Sequence, residues 1–110
     1  MFIVLYEFEI HEGQEAAFEK SWGVVTDAIY RKQGSLGSRL HRSQSPGHYI
    51  AYAQWPSAQV FQNSSHDNYS PEELDAMAAM KATIKHADIQ NMLAVADDRL
   101  ETELFTEPST

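Results

Sequence analysis

The first ten residues alternate. Phe2, Val4, Tyr6, Phe8 and Ile10 fall on one side of an extended chain, and Ile3, Leu5, Glu7 and Glu9 on the other. Successive strand residues point to opposite faces. The stretch therefore predicts a strand over residues 2–10, apolar on both faces at its start and polar on one face at its end. After the turn His11-Glu12-Gly13 the repeat lengthens. Phe18, Trp22, Val25 and Ile29, widened by Ala17, Val24 and Ala28, make one face of a helix. It runs from Gln14 to about Lys32, with Arg31 and Lys32 complementing the dipole in its last turn and Gly34 as its stop. Ser35–Ser43 and His48–Trp55 read as two further strands, and Ser45-Pro46-Gly47 joins them as a hairpin.

Pro56 ends the third strand, Ser57–Gln62 has room for a short helix, and Asn63–Tyr69 is a polar loop. Ser70-Pro71-Glu72-Glu73 is a strong helix start: serine caps, proline occupies the first turn, and Glu73 can bond back to the cap. Leu74, Met77, Met80 and Ile84 then share a face and carry the helix to the middle or late 80s. Ala87–Ala96 either extends that helix or forms a short one of its own. Arg99–Phe105 reads as the last strand, with Leu100 and Leu104 on one face, and Thr106–Thr110 as a frayed tail.

The order is β-α-β-β-(α)-α-β, the split β-α-β plan of an α+β, ferredoxin-like fold with an antiparallel sheet. It reads as one domain over residues 1–106, followed by a tail. Such a sheet has helices on one face only, and its other face is normally polar. Here Ile3, Leu5 and one face of the third strand need a second cover. A second copy with its sheet laid against the first is the simplest one, because closed two-fold dimers are the commonest oligomer. A homodimer is expected.

Composition narrows the function classes. Hydrophobic residues make up 43% of 110 residues, enough for a packed core. The formal net charge of −8 repels phosphate backbones and anionic lipids, which argues against nucleic-acid or membrane partners. No apolar run reaches the ~20 residues a bilayer span needs. The absence of cysteine excludes disulfides and thiolate metal sites and fits a cytoplasmic protein. The five histidines show no metal-ligand spacing, so no metal is expected. Gly34-Ser-Leu-Gly37 follows a helix and opens a strand, the wrong context for a dinucleotide.

The candidate chemistry gathers between Gly34 and Trp55. On the third strand His48, Ile50, Tyr52 and Gln54 share one face, and Tyr49, Ala51, Ala53 and Trp55 the other. Neither face looks solvent-like, so a covered strand carrying hydrogen-bonding tips could line a pocket. Trp55 offers an indole donor that needs a partner when buried, or else simply packs where the strand meets the next helix. Tyr52 and Gln54 could hold a phenol or a carbonyl, or could be paired across a dimer interface. Arg39 could bind a substrate anion and His41 could act as a base, or both could be surface positions on the second strand. Trp22 and Phe18 belong to the helix face that meets the proposed pocket. His66-Asp67 only superficially suggests a base and its orienter.

Three segments together resemble the antibiotic biosynthesis monooxygenase superfamily, the dimeric α/β-barrel group. They are Gly13 with Phe18 and Trp22, then Gly34-Ser-Leu-Gly-Ser-Arg39-Leu, then Tyr49-Ile-Ala-Tyr52-Ala-Gln54-Trp55-Pro. The resemblance covers roughly the first 60 residues, and the remainder by topology. It implies a two-sheet dimer with a pocket between the sheet and helices of each protomer. It also implies a reaction without metal or flavin, on an aromatic or quinol-like molecule and dioxygen. In the resembled oxygenases the substrate phenol is deprotonated, and the resulting carbanion passes an electron to dioxygen. Haem-degrading relatives use an Asn, a Trp and a His. The first strand here has no Asn, so haem chemistry is not expected. The catalytic candidates are Trp55, Tyr52, Gln54, His41 and Arg39, with Trp22, Tyr49 and Phe18 shaping the substrate pocket. The rival reading is a non-catalytic, ligand-binding or stress-related dimer on the same scaffold.

Overall fold

The computed structural model describes residues 1–65 and 67–100. Seven elements follow one another: β1 (Phe2–Ile10), α1 (Glu15–Gln33), β2 (Ser38–Arg42), β3 (His48–Trp55), α2 (Ala58–Gln62), α3 (Pro71–Thr83) and β4 (Ile84–Ala94). The strands form one antiparallel sheet in the order β2-β3-β1-β4. This is the ferredoxin-like α+β plan expected from the alternation of periods.

Local chemistry places most element ends. Gly34 closes α1 in the left-handed region at φ 80°, where a side chain would be strained. Gly47, at φ 76°, turns the β2–β3 hairpin, and its carbonyl accepts the Ile10 N–H at 2.8 Å. A Cβ there would sit 3.3 Å from the Ile10 carbonyl oxygen, a tight contact that, with the positive φ, favours glycine where the hairpin tip meets the end of β1. Ser57 caps α2 by accepting from the Val60 N–H at 3.2 Å. Ser70 and Glu73 make the reciprocal capping box of α3, at 3.1 and 2.8 Å.

The last strand differs from the expectation. α3 stops at Thr83, Ile84 is already extended, and residues 84–94 form the edge strand β4, not helix. Arg99 and Leu100 are in no strand; the rest of the stretch expected to form one, 101–105, and the tail lie outside the described residues. Ile84 follows Met80 at helical spacing, which mimics one more turn. β4 is also rich in Lys, His, Asp, Gln, Asn and Ala, types that carry little strand propensity. What ends the helix is tertiary. The Thr83 carbonyl accepts the His11 N–H at 2.9 Å, and β1 then pairs with the chain that follows. The ladder slips between Leu5 and Tyr6, where Asn91 and Ile89 are their partners, so Gln90 is bulged.

The helices pack on the face that carries Tyr49, Ala51, Ala53 and Trp55. Phe18 of α1 is fully buried, with its ring 5.1 Å from Phe8 and 4.9 Å from Tyr49. A second cluster joins Val4, Ala53 and Trp55 to Phe2, Ile29 and Phe61. The opposite face carries Ile3, Leu5, Ile50 and Tyr52. Among the described residues no helix covers it, and Leu5, Ile50 and Tyr52 remain half-buried. No helix of the described residues is long and apolar enough to cross a membrane.

Candidate functional site

Small side chains on β3 open a space under the helices. Ala51 and Ala53 face α1 where larger residues would fill the layer, and a cavity of about 700 Å³ lies above them. That is within the usual range of small-molecule sites, roughly 300–1,000 Å³. Its roof is Trp22, Val25 and Ile29 of α1 with Met77 and Met80 of α3. Tyr6 and Phe8 of β1 form one side, and their rings are stacked 6.1 Å apart. Trp55 closes the far end with Phe61, which meets it edge-on at 5.3 Å. Ser64, Ser65 and Tyr69 contribute to the rim, as do Lys81 of α3 and Asp88 of β4.

Trp55 is 4% exposed, and its indole Nε1–H is buried with no acceptor among the described residues. An orphaned buried donor costs about 1–3 kcal/mol. Native structures leave few, and each calls for a reason. The residue lines the apolar cavity, but the Nε1 atom itself is enclosed by protein and is not presented to that space. Tyr6 is another polar-tipped ring in the wall, as are Trp22 and Tyr69. Burial pushes its hydroxyl above the ordinary tyrosine value, so it stays a neutral phenol able to donate. Asp88 is the one acidic residue among the described lining residues, but it stands opposite Glu7 in the β1–β4 ladder, so its side chain turns to the other sheet face, where its Oδ2 is 2.5 Å from His86 Nε2.

The structure divides the sequence candidates among three places. Trp55 and Trp22 line the cavity. Tyr52, Gln54, Arg39 and His41 lie on the opposite face of the sheet, where Arg39 pairs in register with Tyr52 and His41 with Ile50. The His41 Nδ1 donates to the Ile50 carbonyl at 3.1 Å. The structure thus does not bring these four together with Trp55, because alternation along β3 sends Tyr52 and Gln54 away from Ala53 and Trp55.

Phe18 and Tyr49 are on the helix side but in the core, away from the cavity wall. The Tyr49 hydroxyl donates to Glu19 Oε2 at 2.6 Å, and Arg42 grips the same carboxylate through Nε and Nη2 at 2.9 and 2.7 Å. The Arg42 bonds, followed by the Tyr49 bond, hold the Glu19 carboxyl down to about 2. Burial, then the bond to Glu19, pushes the Tyr49 hydroxyl up to about 12. This cluster ties the hairpin to the start of α1. Tyr6, absent from the sequence candidates, carried a readable signal: it is the one polar-tipped residue in the Phe2-Val4-Tyr6-Phe8-Ile10 stripe.

Residues 63–65 and 67–70 are tethered to the end of α1. Lys32 Nζ donates to the Asn68 carbonyl at 2.6 Å and to Glu73, and the Gln33 side chain accepts the Ser65 N–H at 2.8 Å. Glu73 also receives Arg31 at 3.2 Å, and these bonds, with Lys32 the largest influence, hold its carboxyl down to about 2. Among the described residues no three His, Asp or Glu side chains converge as a metal site.

The fold has well-matched solved counterparts. The cofactor-independent oxygenase SnoaB from Streptomyces nogalater, in a single-site variant, superposes with a TM-score of 0.69 at 19% identity, covering 91% of this chain and 97% of its own. Rv0793 from Mycobacterium tuberculosis matches with a TM-score of 0.65 at 16% identity, covering 90% of this chain and 98% of its own. At these identities the likeness is one of fold. No curated protein sequence gives a significant match. The family model described as antibiotic biosynthesis monooxygenase matches residues 1–85, which span β1 to the start of β4 and most of the cavity wall. The chain belongs to the antibiotic biosynthesis monooxygenase family.

Proposed function

We propose that this protein is a cofactor-independent monooxygenase that oxidises an aromatic polyketide-like or quinol-like small molecule with dioxygen, and that it works as a homodimer. The observation that carries the reading is the large, mainly apolar cavity between the sheet and the helices, lined by Trp22 and Trp55. Such a space suits a flat ring system. Family membership and the fold likeness to SnoaB add support.

The chemistry balances without a further reductant. The ionised substrate gives one electron to dioxygen, the radical pair joins carbon to oxygen, and the peroxide loses water to leave a carbonyl. The substrate methylene supplies the electrons and both hydrogens, so one methylene group and one dioxygen become one carbonyl group and one water. Trp55 would pack its ring against the substrate from β3. Trp22 would cover the ring from α1. Tyr52, Gln54, Arg39 and His41 would face the second sheet of the dimer, which also covers Leu5 and Ile50.

Oxygen consumption with a panel of hydroxyanthrones and quinols tests the proposal. Uptake above the autoxidation background, lowered in Trp55→Phe, is expected. No uptake across the panel overturns it. The rival binding-protein reading draws on one observation: the one acidic residue among the described lining residues, Asp88, turns its carboxylate to the other sheet face and engages His86 there. Ligand binding with no uptake would favour that rival.

A further inference from the structure

Three groups converge on the ammonium of Lys32, in the last turn of α1. It donates to the Asn68 carbonyl at 2.6 Å and to the Glu73 carboxylate. It also lies 5.6 Å from the centroid of the Tyr69 ring, within the roughly 6 Å reach of a cation–π contact. These partners bear on one short piece of chain. Asn68 adopts φ 70°, the left-handed region that few residues other than glycine enter and that Asn enters more readily than most. That turn comes directly before Tyr69, whose half-buried side chain lines the rim of the cavity. Directly after Tyr69, the Ser70 N–H donates to Glu73 Oε1 at 2.8 Å in the capping box of α3. Glu73 therefore fixes the start of α3 and receives the α1 ammonium at once, and Tyr69 is held between these two points.

We propose that Lys32 is a positioning residue that latches Tyr69 across the mouth of the cavity, so that entry to the cavity requires this latch to open. The Lys32 side chain is 29% exposed and that of Glu73 10%, so their bridge is screened less than one between two exposed side chains. One ammonium makes all three contacts. When it lets go, the Asn68 carbonyl and the Tyr69 ring lose their hold together. Arg31 also reaches Glu73, at 3.2 Å, and can keep that carboxylate paired and α3 capped while Lys32 is away. Opening is then a local event in residues 67–69 and not a loosening of the helix layer. The inference rests on the cavity being the ligand site, as proposed above, but it concerns access and not the oxidation itself.

The chain has no cysteine, so one introduced thiol reports access without background. Ala53→Cys places a thiol in the cavity wall. Ser21→Cys is a near-isosteric change at a buried α1 position that is not among the described lining residues. The rate of modification by iodoacetamide under native conditions reads how often each site opens. Lys32→Met should speed modification at position 53 about three- to tenfold, the usual worth of a lost hydrogen bond in an opening equilibrium. At position 21 the rate should change less than about twofold, because the core stays closed. Lys32→Arg keeps a cation at the latch and should restore the slow rate. With Tyr69→Ala the thiol at position 53 should already react fast, and Lys32→Met should add little. Equal acceleration at both positions overturns the proposal, since Lys32 would then only stabilise the fold. So does an unchanged rate at position 53, or a Lys32→Met effect of full size without the Tyr69 ring. A circular dichroism melt checks each variant, and Ala51→Cys, also in the lining, replaces Ala53→Cys if that variant is destabilised. Oxygen uptake is read separately. The labelling pattern without uptake leaves the latch standing and removes the oxygenase, and uptake with equal acceleration at both positions does the reverse.

Discussion

Replacing Trp55 by Phe should leave stability nearly unchanged while weakening ligand binding. Two opposing effects set the size. Removing the indole N–H relieves an orphaned buried donor, a gain of about 1–3 kcal/mol. The same change removes two ring carbons from a residue that is 4% exposed, at about 0.8 kcal/mol each, and leaves a small void. The sum lies within about 1 kcal/mol of wild type, well below the roughly 3–5 kcal/mol of an ordinary Trp or Phe truncation to Ala in a core. Urea unfolding at fixed protein concentration, with an unchanged slope, measures it. In a thermal melt the shift should stay within about 4–8 °C in either direction. Destabilisation beyond about 2.5 kcal/mol would mean that the N–H has a partner in the folded protein and would refute its being an orphaned donor.

Three further outcomes follow from the same geometry. Ala53→Leu should fill the slot above the β3 floor and weaken aromatic ligands by more than about tenfold with little loss of stability, because the new side chain enters empty space; calorimetry and a melt read both. The carboxyls of Glu19 and Glu73 are both held near 2, below their ordinary value, so the stability they add is present above about pH 4.5 and is lost as pH falls towards about 2. Acid unfolding of the Glu19→Gln/Glu73→Gln double variant should therefore be less steep in that window than wild type. Leu5→Lys on the uncovered sheet face should turn a dimer into a monomer by light scattering, and wild type that is already monomeric at micromolar concentration removes the dimer.

The hairpin and the site show how different kinds of information enter. Alternation in His48–Trp55 was enough to sort its side chains into two sets, and the structure keeps those sets intact: Tyr49, Ala51, Ala53 and Trp55 under the helices, and Ile50, Tyr52 and Gln54 on the far side. Which set faced a cavity was not legible, because both contain aromatic and polar tips. The two alanines were the missed clue. Small residues at helix-facing positions leave room, and room is what a ligand site requires.

The chain by itself determined the period of each early element, the caps at Gly34 and Ser70, the hairpin turn and the apolar stripe of α1, since all of these depend on residues a few positions apart. Tertiary structure decided the rest. Residues 84–94 are a strand because β1 offers them a ladder and His11 takes the last helical carbonyl, although their own propensities argue otherwise. Tyr49 became a core residue tied to Glu19, whereas Tyr6 and Trp55 came to line one cavity. Periodicity states which residues share a face; only the packed layers above and below that face determine what it meets.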